Sequence, residues 1–167
     1  MNDADTKKLY AALAITVNLE AQLTNFLGRS GRAGKAWTGW LKSAKPDPAQ
    51  AAEMKTALST LSKMMKDAKL VLKDLDKATR EAGNKATLAK YATGKEYRDK
   101  VLAKQLTSVR AWDQNCTKFI ASMTKVVVPF PYPKPTGAGV DETVTFNSAK
   151  NFVQYYDEMK KGLAQLG

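Results

Sequence analysis

Histidine is absent from this chain of 167 residues, and cysteine occurs once, at Cys116. Without histidine, the chain has no Ser–His or Cys–His nucleophile pair, no histidine-ligated zinc or haem, and no carboxylate–histidine di-iron site. A single cysteine excludes an intramolecular disulfide, a cysteine-rich zinc site and an iron–sulfur cluster within one chain. We therefore predict no cofactor and no metal site. The same absences argue against an enzyme, although one that uses only Asp, Glu, Lys or Tyr stays open.

Long apolar runs are also missing. The longest such stretch, Phe119 to Val128, is interrupted by Lys125 and is shorter than the roughly 18 residues that a membrane span needs. Residues 1–5 are acidic and polar, unlike the basic start of a secretory signal. We expect a soluble protein that is cytoplasmic, or one that is exported by a route needing no cleavable N-terminal signal.

Apolar residues make up 44% of the chain and recur at helical spacing in four segments. They predict helices over about residues 5–27, 48–82, 85–128 and 147–166. The second helix has the strongest signals, with Asp47 as N-cap and Pro48 at the first helical position. Gly28 is expected to end the first helix and Pro129 the third. Within the third, a short helical piece before Gly94 either joins across that glycine or kinks there.

The apolar positions of the second and third helices follow a seven-residue repeat, which is typical of helices buried against each other. In the second helix the predicted seam is Met54, Leu58, Leu61, Met65, Ala68, Leu72, Leu75, Thr79 and Ala82. In the third it is Leu102, Leu106, Val109, Asp113, Cys116, Ile120, Met123 and Val127, flanked by Trp112 and Phe119. We therefore predict one all-α domain over residues 1–167, an antiparallel four-helix bundle of up-down-up-down topology. Its two long loops, 28–47 and 129–146, would lie at one end.

The chain is basic, with 27 Lys and Arg against 16 Asp and Glu. Two segments account for the whole net charge of +11, because residues 28–46 carry +5 and residues 84–128 carry +6. Such a surplus favours an anionic partner. On the third helix the lysines Lys90, Lys104, Lys118 and Lys125 are separated by multiples of seven residues. They form either a basic ridge that follows phosphates or the solvated outer face of a bundle helix.

The predicted loops contain the candidate binding surface, formed by Arg29, Arg32, Lys35, Trp37, Trp40, Phe130, Tyr132 and Lys134. In the first loop, cations followed by two tryptophans could bind an anionic polymer by charge and stacking. Alternatively, the tryptophans cover the open end of the core. In the second loop, proline at every second position favours an extended segment that docks in a partner's groove or folds back onto the bundle.

Two carboxylates, Glu20 and Asp113, are predicted near apolar seams, where buried acids are sometimes catalytic. A structural role is the more common outcome, and Arg110 is an available partner for Asp113 at a spacing of three residues. Cys116 occupies a seam position and is predicted to be a small core residue.

Taken together, these observations predict a non-enzymatic macromolecule-binding or assembly protein that presents a basic loop or helix surface. Another protein is the favoured partner. Nucleic acid bound by residues 28–46 and the basic third helix is an alternative. A further alternative is a secreted effector or toxin that acts on a protein or on an anionic membrane surface. The sequence indicates no oligomeric state.

Overall fold

The computed structural model describes the backbone of residues 1–126 and 138–167, and the side chains of residues 1–123 and 143–167. The described residues are helical and contain no strand. Within them, no helix combines the length and the hydropathy of a membrane span. The predicted all-α class is confirmed.

The first long element consists of α1 (Asp3–Ala14) and α2 (Thr16–Ser43), separated only at Ile15. The Thr16 hydroxyl bridges this interruption by donating to the Leu13 carbonyl at 2.6 Å. Buried positions continue across it at alternating steps of four and three residues: Asp5, Leu9, Ala12, Thr16, Leu19, Leu23, Phe26, Ser30, Ala33, Trp37 and Trp40.

The predicted loop over residues 28–47 is wrong up to Ser43, because α2 continues through Gly28 to that residue, and only residues 44–47 connect it to the next helix. Four glycines lie within α2, and each costs a helix about 1 kcal/mol relative to alanine. Trp37 and Trp40 are buried by the same helix, and a tryptophan that buries about 200 Å² is stabilised by about 5 kcal/mol. Burial of the two rings therefore outweighs the local preference against helix.

The next element, α3 (Pro48–Ala82), has the predicted bounds. The Asp47 carboxylate accepts hydrogen bonds from the backbone N–H groups of Ala49 and Gln50 at 2.9 and 3.0 Å, as an N-cap should. The buried face of α3 includes alternate positions of the predicted seam, and the other seam positions are replaced by the residue before them. Ala57, Met64, Val71 and Ala78 are buried, whereas Leu58, Met65 and Leu72 are only partly buried.

The helix predicted over residues 85–128 is interrupted in its first part, before Gly94, so it does not join across that glycine. The chain instead forms α4 (Lys85–Leu88), α5 (Gly94–Tyr97), a π-helical turn (Arg98–Leu102), α6 (Ala103–Gln105) and α7 (Thr107–Val126). Thr93 caps α5 by accepting from the Glu96 N–H at 3.0 Å, and the Glu96 carboxylate accepts from the Ala92 N–H at 2.9 Å. This exchange resembles a capping box and starts a new helix at Gly94.

The last element, α8 (Ala138–Ala164), begins well before the predicted residue 147. The predicted loop over 129–146 is therefore wrong from Ala138 onward, and its residues 129–137 lie outside the described residues. The α8 side chains at Ala149, Phe152, Tyr156, Met159 and Leu163 are buried.

The long helices enclose a single hydrophobic core. α2 packs against α3 and α8, and α7 packs against the same two helices. Trp112 of α7 lies at the centre, in edge-to-face contact with Phe26 at 5.3 Å and Phe152 at 4.7 Å between ring centroids. Its indole N–H donates to the Met64 carbonyl at 3.0 Å, so this large ring is satisfied within the core.

Candidate functional site

An open groove runs between the second half of α2 and the first half of α3. Its volume is about 580 Å³. The groove is walled by small residues of α2 and by Ser62 of α3, and Leu58 and Leu61 contribute apolar surface. Lys35 and Lys42 line it as well, and no acidic side chain is among its lining residues within the described part of the chain. We call this feature the basic groove.

The glycines of α2 keep the basic groove open. A Cβ atom added at Gly31 or Gly39 would meet nothing within 4 Å, and one added at Gly34 would touch the Leu61 side chain at 3.7 Å. The hydroxyl of Thr38 donates back to the Gly34 carbonyl at 2.8 Å, and that of Ser30 donates to the Phe26 carbonyl at 2.5 Å. Both hydroxyl groups therefore donate within α2, and the residues that form this wall of the groove are small and weakly polar.

Lysines of α3 extend the positive charge beside the groove. Lys55 and Lys66 are exposed and lie seven and four residues from Ser62, which lines the groove, so helical spacing puts them on the same side of α3. Along α2 there is no acid between Glu20 and Asp47. The groove is therefore bordered by cations from both helices.

The structure separates the residues that the sequence grouped at 28–46. Lys35 lines the groove, whereas Arg29 lies about 120° around the helix from Lys35 and Arg32 about 60°. Trp37 and Trp40 are 1% and 6% exposed, so the predicted stacking surface is wrong for both rings. They cover the core instead, which was the alternative interpretation. Lys42, which the predicted site omitted, could have been found from its spacing of seven residues from Lys35.

Four further predicted residues fall where no side chain is described. Phe130, Tyr132 and Lys134 lie outside the described residues, as does the side chain of Lys125.

The predicted basic ridge is not one continuous helical face. Lys90 lies in the turn before α5, and the π-helical turn separates it from Lys104. A break at Leu106 in turn separates Lys104 from Lys118. Lys118 instead lines a polar groove between α3 and α7 together with Lys63.

The two candidate carboxylates differ in their surroundings. Burial raises the pKa of Glu20, and the charge of Asp76 raises it further. Burial also raises the pKa of Asp113, while Lys160, whose Nζ lies 4.0 Å from the Asp113 carboxylate, lowers it. Lys160 rather than the predicted Arg110 thus faces Asp113, and Arg110 reaches the Ala103 carbonyl at 3.3 Å. A lysine partner supports the structural role.

Cys116 is fully buried, which confirms its predicted place in the core, and burial raises the pKa of its thiol. Among the described residues, no three Cys, Asp or Glu side chains come close enough together to hold a metal ion. The basic groove, which includes Lys35 of the predicted surface, is the candidate site. Comparisons of the chain with protein families, with curated proteins and with solved structures find no match.

Proposed function

We propose that this chain is a non-enzymatic binding protein whose basic groove receives an acidic amphipathic helix of a protein partner. The observation that carries the proposal is the combination of an open wall of small residues, two groove-lining leucines and lysines without a lining acid. Small residues let another helix approach closely, and the leucines provide apolar contact for it. The lysines would complement an acidic outer face on that helix and speed its association.

Nucleic acid is the second candidate, and the acid-free stretch of α2 favours it. Phosphates could follow the cations of α2 and α3. The burial of Trp37 and Trp40 speaks for the protein partner, because single-stranded nucleic acid is usually held by aromatic stacking as well as by charge. A secreted effector that acts on a protein would use the same groove.

We also infer that the four long helices form an up-down-up-down bundle. Thr79 of α3 reaches Thr16 at the start of α2, whereas Leu61, earlier in α3, lies beside Gly34, late in α2. Likewise, Asn151 of α8 reaches Gln22, and Lys8 of α1 reaches the Gln165 carbonyl after α8. In both sets of contacts, residues early in one helix meet residues late in its neighbour. This pattern supports antiparallel packing.

The test uses an acidic amphipathic peptide helix, with glutamate on one face and leucine on the other, as the probe. We expect the full chain to bind it, and the Lys35→Gln/Lys42→Gln variant to bind about tenfold or more weakly at low salt. A Gly31→Leu/Gly39→Leu variant, which fills the groove and keeps the charge, should also weaken binding. Fluorescence anisotropy of the labelled peptide measures both effects.

The matched control is Lys90→Gln/Lys104→Gln, which removes two exposed lysines outside α2 and α3, neither of which lines the groove, and should leave peptide binding unchanged. A DNA duplex and polyglutamate serve as comparison probes. Stronger binding of DNA than of the peptide, with no effect of filling the groove, would overturn the proposal in favour of nucleic acid. Equal loss of peptide binding in the control would show that only net charge matters.

A further inference from the structure

The polar groove between α3 and α7 is separate from the basic groove, which lies between α2 and α3. Its volume is about 340 Å³. Lys63 of α3 and Lys118 of α7 are its charged lining residues, and within the described part of the chain no acidic and no aromatic side chain lines it. The other lining residues are mostly polar: Ser59, Thr60, Met64, Asn115 and Ser122. The groove therefore offers positive charge and polar groups but little apolar surface.

The register of α7 against α3 puts the two lysines opposite each other. Further along α3, the Asp74 carboxylate accepts a hydrogen bond from the Ser108 hydroxyl of α7. Lys63 lies eleven residues before Asp74, and Lys118 lies ten residues after Ser108. Because both helices rise by the same amount per residue, nearly equal steps in opposite directions bring the two lysines to the same level of the groove.

No acid neutralises these two lysines. Within the described residues, Lys63 and Lys118 form no ion pair and no hydrogen bond. Asp67, one turn after Lys63 on α3, does not line the groove and forms no ion pair with that lysine. Asp113, five residues before Lys118, faces Lys160 instead. Two like charges on facing helices repel each other, and an anion bound between them would remove this repulsion.

Polar side chains beside the lysines have hydrogen-bond donors that no other described residue uses. Ser59 lies one turn before the lysine of α3, and Ser122 lies one turn after the lysine of α7. Neither hydroxyl group, nor the amide of Asn115, donates to another described residue. Thr60 differs, because its hydroxyl donates to the Thr56 carbonyl at 3.0 Å. The groove thus combines two cations with unused neutral donors, and an anion with several acceptor oxygens matches that set.

We propose that the polar groove binds a phosphate group, either free phosphate or one esterified to a small polar molecule. The phosphate would lie between the ammonium groups of Lys63 and Lys118 and would accept hydrogen bonds from Ser59 and Ser122. A dianion matches the two facing charges, whereas a carboxylate would neutralise only one of them. The polar lining favours a hydroxylated ligand over a hydrocarbon one. The described lining also contains no aromatic ring on which the bases of a single-stranded nucleic acid would stack.

Glycerol 3-phosphate is the probe, titrated into the full chain at a pH of about 7.5, where its phosphate is mostly a dianion. NMR follows the backbone amides of Ser59, Lys63, Asn115 and Lys118. We expect saturable shifts at these amides, and about tenfold weaker binding in the Lys63→Gln and Lys118→Gln variants. Both lysines are exposed, so the variants should keep the dispersed spectrum of the folded chain. The Ser59→Ala/Ser122→Ala variant should bind at least about twofold more weakly.

Comparison ligands separate charge from shape and free phosphate from an ester. Glycerol should cause no saturable shift, and acetate at the same ionic strength should bind at least about fivefold more weakly than the ester. Tighter binding of glycerol 3-phosphate than of inorganic phosphate indicates an organic phosphate as the ligand, and the reverse order indicates the free ion.

Two control variants remove the same charge outside the polar groove. Lys90→Gln/Lys104→Gln and Lys35→Gln/Lys42→Gln should both bind glycerol 3-phosphate like the unmodified chain. Because the second of these removes the charge of the basic groove, failure here and failure of the proposed function are separate results.

The proposal fails if acetate binds as well as the ester, if the Lys63→Gln and Lys118→Gln variants bind it unchanged, or if the control variants lose as much affinity. Shifts that rise linearly without saturation, or that appear at Gly31 and Thr38 of the basic groove instead, would also overturn it. A DNA duplex that displaces the ester at a lower phosphate concentration would replace the proposal with nucleic-acid binding.

Discussion

At the scale of single residues, two glycines with opposite surroundings test the helix assignment. Gly28 lies inside α2, and a Cβ there would meet nothing within 4 Å, so Gly28→Ala should raise the free energy of unfolding by up to about 1 kcal/mol. At Gly94 a Cβ would lie 3.0 Å from three atoms of Asp5, so Gly94→Ala should lower it by about 1–3 kcal/mol. Urea unfolding measures both. A destabilised Gly28→Ala variant would contradict a helix through residue 28.

At the scale of elements, α3 could be predicted almost completely because every local signal agrees. Asp47, Pro48 and the apolar repeat all favour the same helix, and the bounds were right. The second half of α2 could not be predicted from local preference, since Gly28 resembles a helix end. The helix continues because it buries Trp37 and Trp40 in the core. The spacing of Phe26, Ala33 and Trp40 contained that signal.

The elements before α7 were missed for two different reasons. The Thr93–Glu96 capping pair was visible in the sequence and predicts a helix start at Gly94. The π-helical turn leaves a step of five residues between the buried Tyr97 and Leu102, which the steps of three and four that predict an α-helix do not include. The candidate site was predicted on a loop, but its residues lie on a helix. A loop would let Arg29, Arg32 and Lys35 converge, whereas a helix spreads these three side chains over about 120° around its axis.

Trp37 tests whether the core continues into the second half of α2. It is 1% exposed, so Trp37→Ala should lower the free energy of unfolding by about 3–5 kcal/mol, with Trp37→Phe costing clearly less. Thermal unfolding followed by circular dichroism measures the loss. A Trp37→Ala variant as stable as the parent would mean that this ring does not belong to the core.

At the scale of the whole molecule, Asp5 joins three parts of the chain. Its carboxylate accepts from the Gly94 N–H at 2.9 Å and from the Gly167 N–H at 3.1 Å, which links α1 to the start of α5 and to the residues after α8. These two hydrogen bonds lower the pKa of Asp5 below its ordinary value of 3.8. The ionised side chain therefore stabilises the fold above the unfolded pKa, and this contribution is lost as the pH falls through the folded pKa.

Asp5→Asn should accordingly be less stable than the parent at neutral pH. The difference should begin to shrink as the pH falls below 3.8, and it should level off below the folded pKa, where both chains hold a neutral side chain at residue 5. Urea unfolding at a series of pH values gives the two curves. A difference that stays constant over the whole series would show that the loss comes from altered packing and not from ionisation.

The alkylation rate of Cys116 measures how often α7 separates from its neighbours. Its sulfur is fully enclosed, and enclosure disfavours the thiolate, which is the form that reacts with alkylating or oxidising reagents. Reagents in solution can therefore reach it only while α7 is transiently separated from its neighbours. The rate of alkylation, compared with that of an unfolded chain, reports the population of such separated forms without any added label.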